Sequence, residues 1–141
     1  MKTICLRFSD AFAPSEGTVF LHQRVIEKHG FVWFGKKGKR ILPEKFETIL
    51  KNGPTKIVLI KTGGSERYLA TLEDYSYRPQ KEIPAYYKDQ EYSFETWLKL
   101  SKIELAPVDI LQKCIIPVSG KTVESILKKT IGSYFYVELD I

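Results

Sequence analysis

The sequence predicts an α+β domain: a small twisted or barrelled mixed sheet with flanking helices, spanning residues 1–141 as one unit. Three observations lead there. Strand-type segments outnumber helical ones. The regular βαβαβ alternation of a doubly wound parallel sheet is missing, and several neighbouring strands are close enough to pair as hairpins. Finally, 141 residues with 43% hydrophobic side chains suffice for one core without disulfide or metal support, and no repeat or long linker divides them.

Each element has a local reason. Ile4, Leu6 and Phe8 alternate with Cys5 and Arg7, the period of two of a half-buried strand. Pro14, Ser15 and Gly17 then mark a loop. From Thr18 to His29 the apolar residues Val19, Leu21, Val25 and Ile26 recur at helical spacings, and Gly30 ends the helix. Phe31 to Phe34 is a short strand. Pro43 suits a first helical turn, Glu44 and Glu47 complement its positive end, and Phe46, Ile49 and Leu50 form its apolar face up to the Asn52-Gly53-Pro54 stop. Lys56–Lys61 and Arg67–Tyr75 flank the turn Thr62-Gly63-Gly64-Ser65 and make a hairpin. A connection over residues 78–92 carries Pro79, Pro84 and Tyr86-Tyr87. A strand follows from Phe94 to Leu105, then a helix around Val123, Ile126 and Leu127 ending at Gly132, and a last strand from Ser133 to Leu139.

Composition removes several classes. No apolar run reaches the ~18–20 residues of a membrane span, and Arg7 and Asp10 interrupt the start before a signal-peptide core can form. A soluble, cytoplasmic chain with no membrane partner is expected. Cys5 and Cys114 are far apart and outside any C-x-x-C, and His22 and His29 lack metal-ligand spacing. No metal or other cofactor is expected. Pro117 to Thr122 ends in Gly-Lys-Thr, but Ile115 occupies the position where a phosphate loop needs glycine, so Gly120 and Thr122 read as helix-start residues. No nucleophile–base or paired-carboxylate motif stands out, and Glu73 and Asp74 are adjacent on a strand and so face opposite ways. The expectation is a binding domain and not an enzyme.

Charge is more telling. Lys+Arg 22 against Asp+Glu 17 leaves +5, and four of the cations, Lys36, Lys37, Lys39 and Arg40, fall in six residues beside Trp33 and Phe34. Cations neutralise phosphates, aromatic rings stack on bases, and Gly35 and Gly38 allow close backbone approach. The same residues also fit a solvated turn with Trp33 in the core. Tyr75 and Tyr77 at a strand exit, Tyr86, Tyr87 and Tyr92 in the next loop, and Trp97 beyond it would line a pocket near this basic rim if the loops meet; otherwise they form an outer core layer.

The succession Leu6-Arg7-Phe8-Ser9-Asp10, Phe31-Val32-Trp33-Phe34-Gly35-Lys36, Ile57 to Lys61 with Tyr68 to Leu72, and Trp97-Leu98-Lys99-Leu100 resembles the PUA-like superfamily, and within it the EVE-type domains. The likeness is one of element pattern over most of the chain. It implies a nucleic-acid-binding module, with DNA favoured over RNA, that takes a flipped, methylated base into an aromatic cage, as in YTH readers and the DNA-reading domains of McrB-type restriction proteins. It would serve as the specificity domain of a restriction or defence system, alongside separate motor or nuclease subunits. By position, Ser9 matches the polar residue ending the first strand, Trp33 a cage wall, and Trp97 a second wall or a core anchor. Tyr75 and Tyr77 complete the cage, and Lys36, Lys37, Lys39 and Arg40 hold phosphates. The tryptophan segment departs from the usual Gly-Val-Arg-Asn by running into Gly-Lys-Lys-Gly-Lys-Arg. Two alternatives stay open: an RNA-binding PUA-like domain, and an ASCH-like RNA or nucleoside hydrolase using Lys61, Thr62 and Glu73.

Overall fold

Seven strands form one mixed sheet in a computed structural model that describes residues 1–129 and 132–141. In chain order they are β1 (Lys2–Phe8), β2 (Val32–Lys36), β3 (Thr55–Lys61), β4 (Arg67–Ser76), β5 (Thr96–Leu105), β6 (Cys114–Ile115) and β7 (Tyr134–Leu139), with helices α1 (Thr18–His29), α2 (Pro43–Ile49) and α3 (Val123–Ile126). The spatial order is β2-β5-β4-β3-β1-β7-β6. Only the β1–β3 pair is parallel, because α1, β2 and α2 intervene between them; the other pairs are antiparallel, including the expected β3–β4 hairpin.

The period of two sorts side chains to the two faces of the sheet. Ile4, Leu6, Phe8, Ile57 and Leu59 join Val32, Phe34, Leu98 and Leu100 in the main core, which α1 covers with Val19, Val25 and Ile26 and α2 with Phe46 and Ile49. Their neighbours Cys5, Val58 and Ile60 face the other way, under Ile110, Leu111 and Val123. A third cluster, Trp33, Tyr87, Phe94 and Trp97, lies on that other face of β2 and β5.

The sheet is strongly curled. β1 and β2 are four steps apart in it, about 19 Å if it were flat, yet the rings of Phe8 and Phe34 meet edge-on with centroids 6.3 Å apart. The β4–β5 register shifts twice, skipping Ser101 on one strand and Glu73 on the other. Such bulges add local twist and bend, and Ser101 Oγ donates to Glu73 across them at 3.1 Å. Glu73 therefore belongs to a bulge rather than to the regular alternation expected for it.

Other boundaries moved for tertiary reasons. β2 continues through Gly35 and Lys36 because these pair with Trp97 and Thr96. Phe94 stays outside β5, whose pairing begins at Thr96. β6 is two residues long and was not expected; it exists through pairing with β7. Thr122 caps α3 by accepting from the Ser125 N–H at 3.1 Å, as read from the sequence. A 3₁₀ turn over Leu127–Lys129 follows, and the expected run on to Gly132 crosses residues 130–131, outside the described residues.

Candidate functional site

The curl brings the C-terminal ends of β1 and β2 together around a cavity of about 250 Å³. β1 supplies Arg7, Phe8 and the following Ser9; β2 supplies Phe34, Gly35 and Lys36. Phe12 and Ala13 come from the loop before α1, Thr18 from its first turn, and Ser133 from the approach to β7. Tyr86, Tyr87, Gln90 and Phe94 come from the long β4–β5 connection. Six lining residues are aromatic, and none of the described ones is acidic. The volume lies just below the ~300–1,000 Å³ of pockets that enclose drug-sized ligands, a size suited to one flat ring system.

A buried relay holds the back wall. His22 is fully buried, with Nδ1 2.7 Å from the Thr18 carbonyl and Nε2 3.0 Å from the Tyr87 hydroxyl. A carbonyl only accepts, so Nδ1 carries the proton, Nε2 is bare, and Tyr87 donates to it. The Tyr87 oxygen in turn accepts the Gly35 N–H at 3.3 Å. Burial pushes the His22 pKa down to about 4, against a smaller opposing effect of the Thr18 hydrogen bond. Burial likewise raises the Tyr86 and Tyr87 phenols, so both stay neutral.

The front is basic only in part. Phe12 is 69% exposed and carries the Lys37 ammonium 4.5 Å from its ring centroid. Gln90 donates through Nε2 to the Tyr86 carbonyl at 3.0 Å, leaving its Oε1 to accept. Ser9 Oγ accepts the Ala11 N–H at 3.0 Å and so caps its own turn. Asp10 accepts the Thr18 N–H at the start of α1 at 3.0 Å, and Lys61 lies 3.3 Å from its other oxygen. Burial alone would raise the Asp10 pKa, but the bonds from Thr18 and Lys61 and the Lys61 charge outweigh it and leave the pKa below its usual value. The positive end of α1 is thus already occupied by a carboxylate.

Of the residues expected at a site, Ser9, Phe34, Lys36 and Lys37 line this pocket. Trp33 and Trp97 do not: they are 8% and 0% exposed and pack behind Phe94 and Tyr87, because they point from β2 and β5 to the face opposite Phe34 and Leu98. Neither lines this cavity, and Trp97 takes the place of a core anchor, the other role expected for it. The Trp97 indole N–H has no acceptor among the described residues. Tyr75 and Tyr77 are also outside the lining. Tyr75 stacks on Phe46 at 4.3 Å, and the Tyr77 hydroxyl donates to the Ile41 carbonyl at 2.6 Å, so both anchor α2 and the chain before it.

The basic residues divide as well. Lys36 is buried, and its ammonium donates to the carbonyls of Lys37 and Lys39 at 3.1 and 2.8 Å; burial pushes its pKa down. It closes the basic turn instead of offering itself wholly to a phosphate. Arg40 pairs with Glu95 at 3.8 Å and lies over Tyr77, whereas Lys37 and Lys39 are exposed. Lys61 lies between Asp10 and Glu66, at 3.3 and 3.7 Å, and the Asp10 hydrogen bond followed by both acidic charges raises its pKa. That is the opposite of what a lysine nucleophile or base requires. Glu73 stands beyond the Thr55–Leu72 end of the β3–β4 ladder and Lys61 at the other end, about 20 Å along the strand, so Lys61, Thr62 and Glu73 form no common site.

Sequence reasoning did not single out Arg7, Phe12, Thr18, Gln90, Phe94 or Ser133; it offered Tyr86, Tyr87 and Tyr92 on condition that the loops meet, and of these Tyr86 and Tyr87 line the pocket while Tyr92 does not. The Tyr86-Tyr87 pair and Phe12, aromatic residues inside loops, were the available signal. Among the described residues no helix is long and apolar enough to cross a membrane, and no group of three or more His, Cys, Asp or Glu is placed to hold a metal.

Compared with models of protein families, the sequence matches the PUA-like family over residues 4–129. No curated protein matches it significantly.

Proposed function

The chain belongs to the PUA-like family, and on that premise we propose that it is a nucleic-acid-binding module whose pocket takes one extruded base, with methylated DNA as its ligand. The observation that carries this reading is the lining: six aromatic residues, no acid among the described ones, and the exposed Lys37 over the Phe12 ring. Extruding a base costs a few kcal/mol, and each base stacked on aromatic side chains returns about 1–3 kcal/mol. Cations at the mouth neutralise the flanking phosphates.

Methyl selectivity has two physical sources. Burying the methyl against aromatic carbon adds about 0.8 kcal/mol, close to fourfold. Where the methyl sits on the exocyclic nitrogen, the unmethylated amine would bring an extra N–H donor against an apolar wall, at a cost of about 1–3 kcal/mol where it finds no acceptor. Together they support selectivity of order tenfold to several hundredfold. In this reading the domain acts by binding alone, in the manner of EVE-type readers. It would direct separate motor or nuclease subunits of a cytoplasmic restriction or defence system to the modified site.

The test is fluorescence anisotropy with matched DNA duplexes, unmodified or carrying methylated adenine or cytosine, and with RNA of the same sequence, across a salt series. Preference for one methylated duplex, retained as salt rises and lost in Phe12→Ala and Tyr86→Ala, is the expected result. Equal, steeply salt-dependent binding to every duplex would sink the base-pocket reading, and tighter binding to RNA would reassign the ligand.

A further inference from the structure

A second basic segment is tied to the pocket through Arg7, whose guanidinium donates to the Leu127 carbonyl. The chain has no acid between Glu27 and Glu44, and none between Glu124 and Glu138. The fold brings these two stretches together. A Cβ on Gly38 would stand 3.7 Å from Ser133 Oγ, and the Lys36 ammonium is 5.0 Å from the Tyr134 ring centroid. Arg7, itself in the lining, donates its backbone N–H to the Ser133 carbonyl at 2.9 Å and its guanidinium to the Leu127 carbonyl.

Lys128 and Lys129 directly follow Leu127, are exposed, and make no ion pair among the described residues. Three residues separate Lys129 from Ser133, so even a fully extended chain holds its Cα within about 15 Å of Ser133, a lining residue. Arg40 and Lys61 are compensated by acids, whereas among the described residues Lys37 and Lys39 on the basic turn, and Lys128 and Lys129 beyond Arg7, pair with none.

We propose that Lys128 and Lys129 form a second phosphodiester-binding site, reached from the Arg7–Leu127 side of the mouth, so that the domain grips the backbone on both flanks of the nucleotide whose base enters the pocket. The ligand is then an internal nucleotide of a polynucleotide strand and not a free nucleoside. This rests on the base-pocket reading. One basic segment suffices to hold the phosphate of a mononucleotide; a second one, tied to the pocket through Arg7, suits a chain that continues both ways.

The experiment compares the full chain with Lys128→Gln/Lys129→Gln, Lys37→Gln/Lys39→Gln and, as a control, Lys28→Gln/Lys51→Gln. Binding is measured across a salt series to a methylated nucleoside, a trinucleotide and a longer oligonucleotide, as DNA and as RNA. Each neutralised phosphate contact lowers the slope of log K against log salt by about 0.7–0.9. The Lys128/Lys129 variant should therefore lose about 1.5 from the slope on the longer oligonucleotide, keep the wild-type preference for the methylated base, and leave nucleoside binding unchanged. The control should keep the wild-type slope. A methyl-selective wild type with an unaltered slope in Lys128→Gln/Lys129→Gln overturns this second site alone. A wild type without base selectivity overturns the pocket reading and this site with it. DNA and RNA arms that differ identify which backbone the lysines hold.

Discussion

The ring of Phe94 occupies the space that any residue but glycine would need at position 35: a Cβ added to Gly35 would fall 2.5 Å from its carbons. Phe94 is thereby both a wall of the pocket and a lid over Trp97, whose ring centroid is 5.1 Å away.

Gly35→Ala should therefore displace Phe94. Overpacking of this kind costs about 1–3 kcal/mol, to be read from urea unfolding, and ligand affinity should fall further than stability alone explains. Unchanged affinity in a folded Gly35→Ala variant would show that Phe94 is not part of the binding surface.

His22 predicts an acid-sensitive fold. Its pKa is about 4 when folded and about 6.5 when unfolded, so between these values the unfolded state binds more protons. Stability is then full above about pH 6.5 and declines as pH falls toward 4, by about 3 kcal/mol in total from this group. Chemical unfolding from pH 4.5 to 8 should show the decline, and His22→Gln should flatten it. An equal slope in the variant would assign the acid sensitivity to other groups.

The two kinds of aromatic residue should separate in mutagenesis. Trp97→Ala and Trp33→Ala remove buried rings and should each cost about 3–5 kcal/mol of stability. Phe12→Ala removes an exposed ring and should change stability by no more than about 0.5 kcal/mol, while weakening base binding by about 1–3 kcal/mol. Thermal melts beside anisotropy titrations distinguish them, and a Phe12→Ala variant that melts early but binds normally would reverse the assignment.

Tyr77→Phe offers a control at a residue first read as part of a cage. It deletes only the hydroxyl that donates to the Ile41 carbonyl, a loss of about 0.5–1.5 kcal/mol, and should leave ligand affinity untouched. Reduced affinity at full occupancy of the fold would return Tyr77 to the site.

Much of the fold was legible because its causes are local. Gly30, at φ 85°, donates back to the Ile26 carbonyl and ends α1 where the sequence said it would. Pro43 opens α2 for the reason its ring geometry predicts. His22 was missed because only apolar side chains were counted along α1, whereas the deepest position on that helix holds an imidazole satisfied by Thr18 and Tyr87. Trp33 was misplaced because both faces of β2 are buried. With Val32 and Phe34 on one face and Trp33 on the other, periodicity separates the faces but does not say which one meets a pocket.

The sequence by itself determined the order of all elements but β6, the two faces of the regular strand stretches, the end of α1 at Gly30, the start of α2 at Pro43 and the acid-free basic stretches, which follow from neighbours within a few positions. It also determined the likeness to PUA-like domains, which follows from the order of elements. Only the tertiary structure decided that β1 and β2, four strands apart in the sheet, meet at their ends. That meeting depends on two bulges in a pairing of distant segments, on Glu73 and Ser101, and on a connection whose tyrosines pack through His22 and Gly35. No local pattern encodes such a curl, because it is the sum of small twists over strands that the chain makes far apart and joins only on folding.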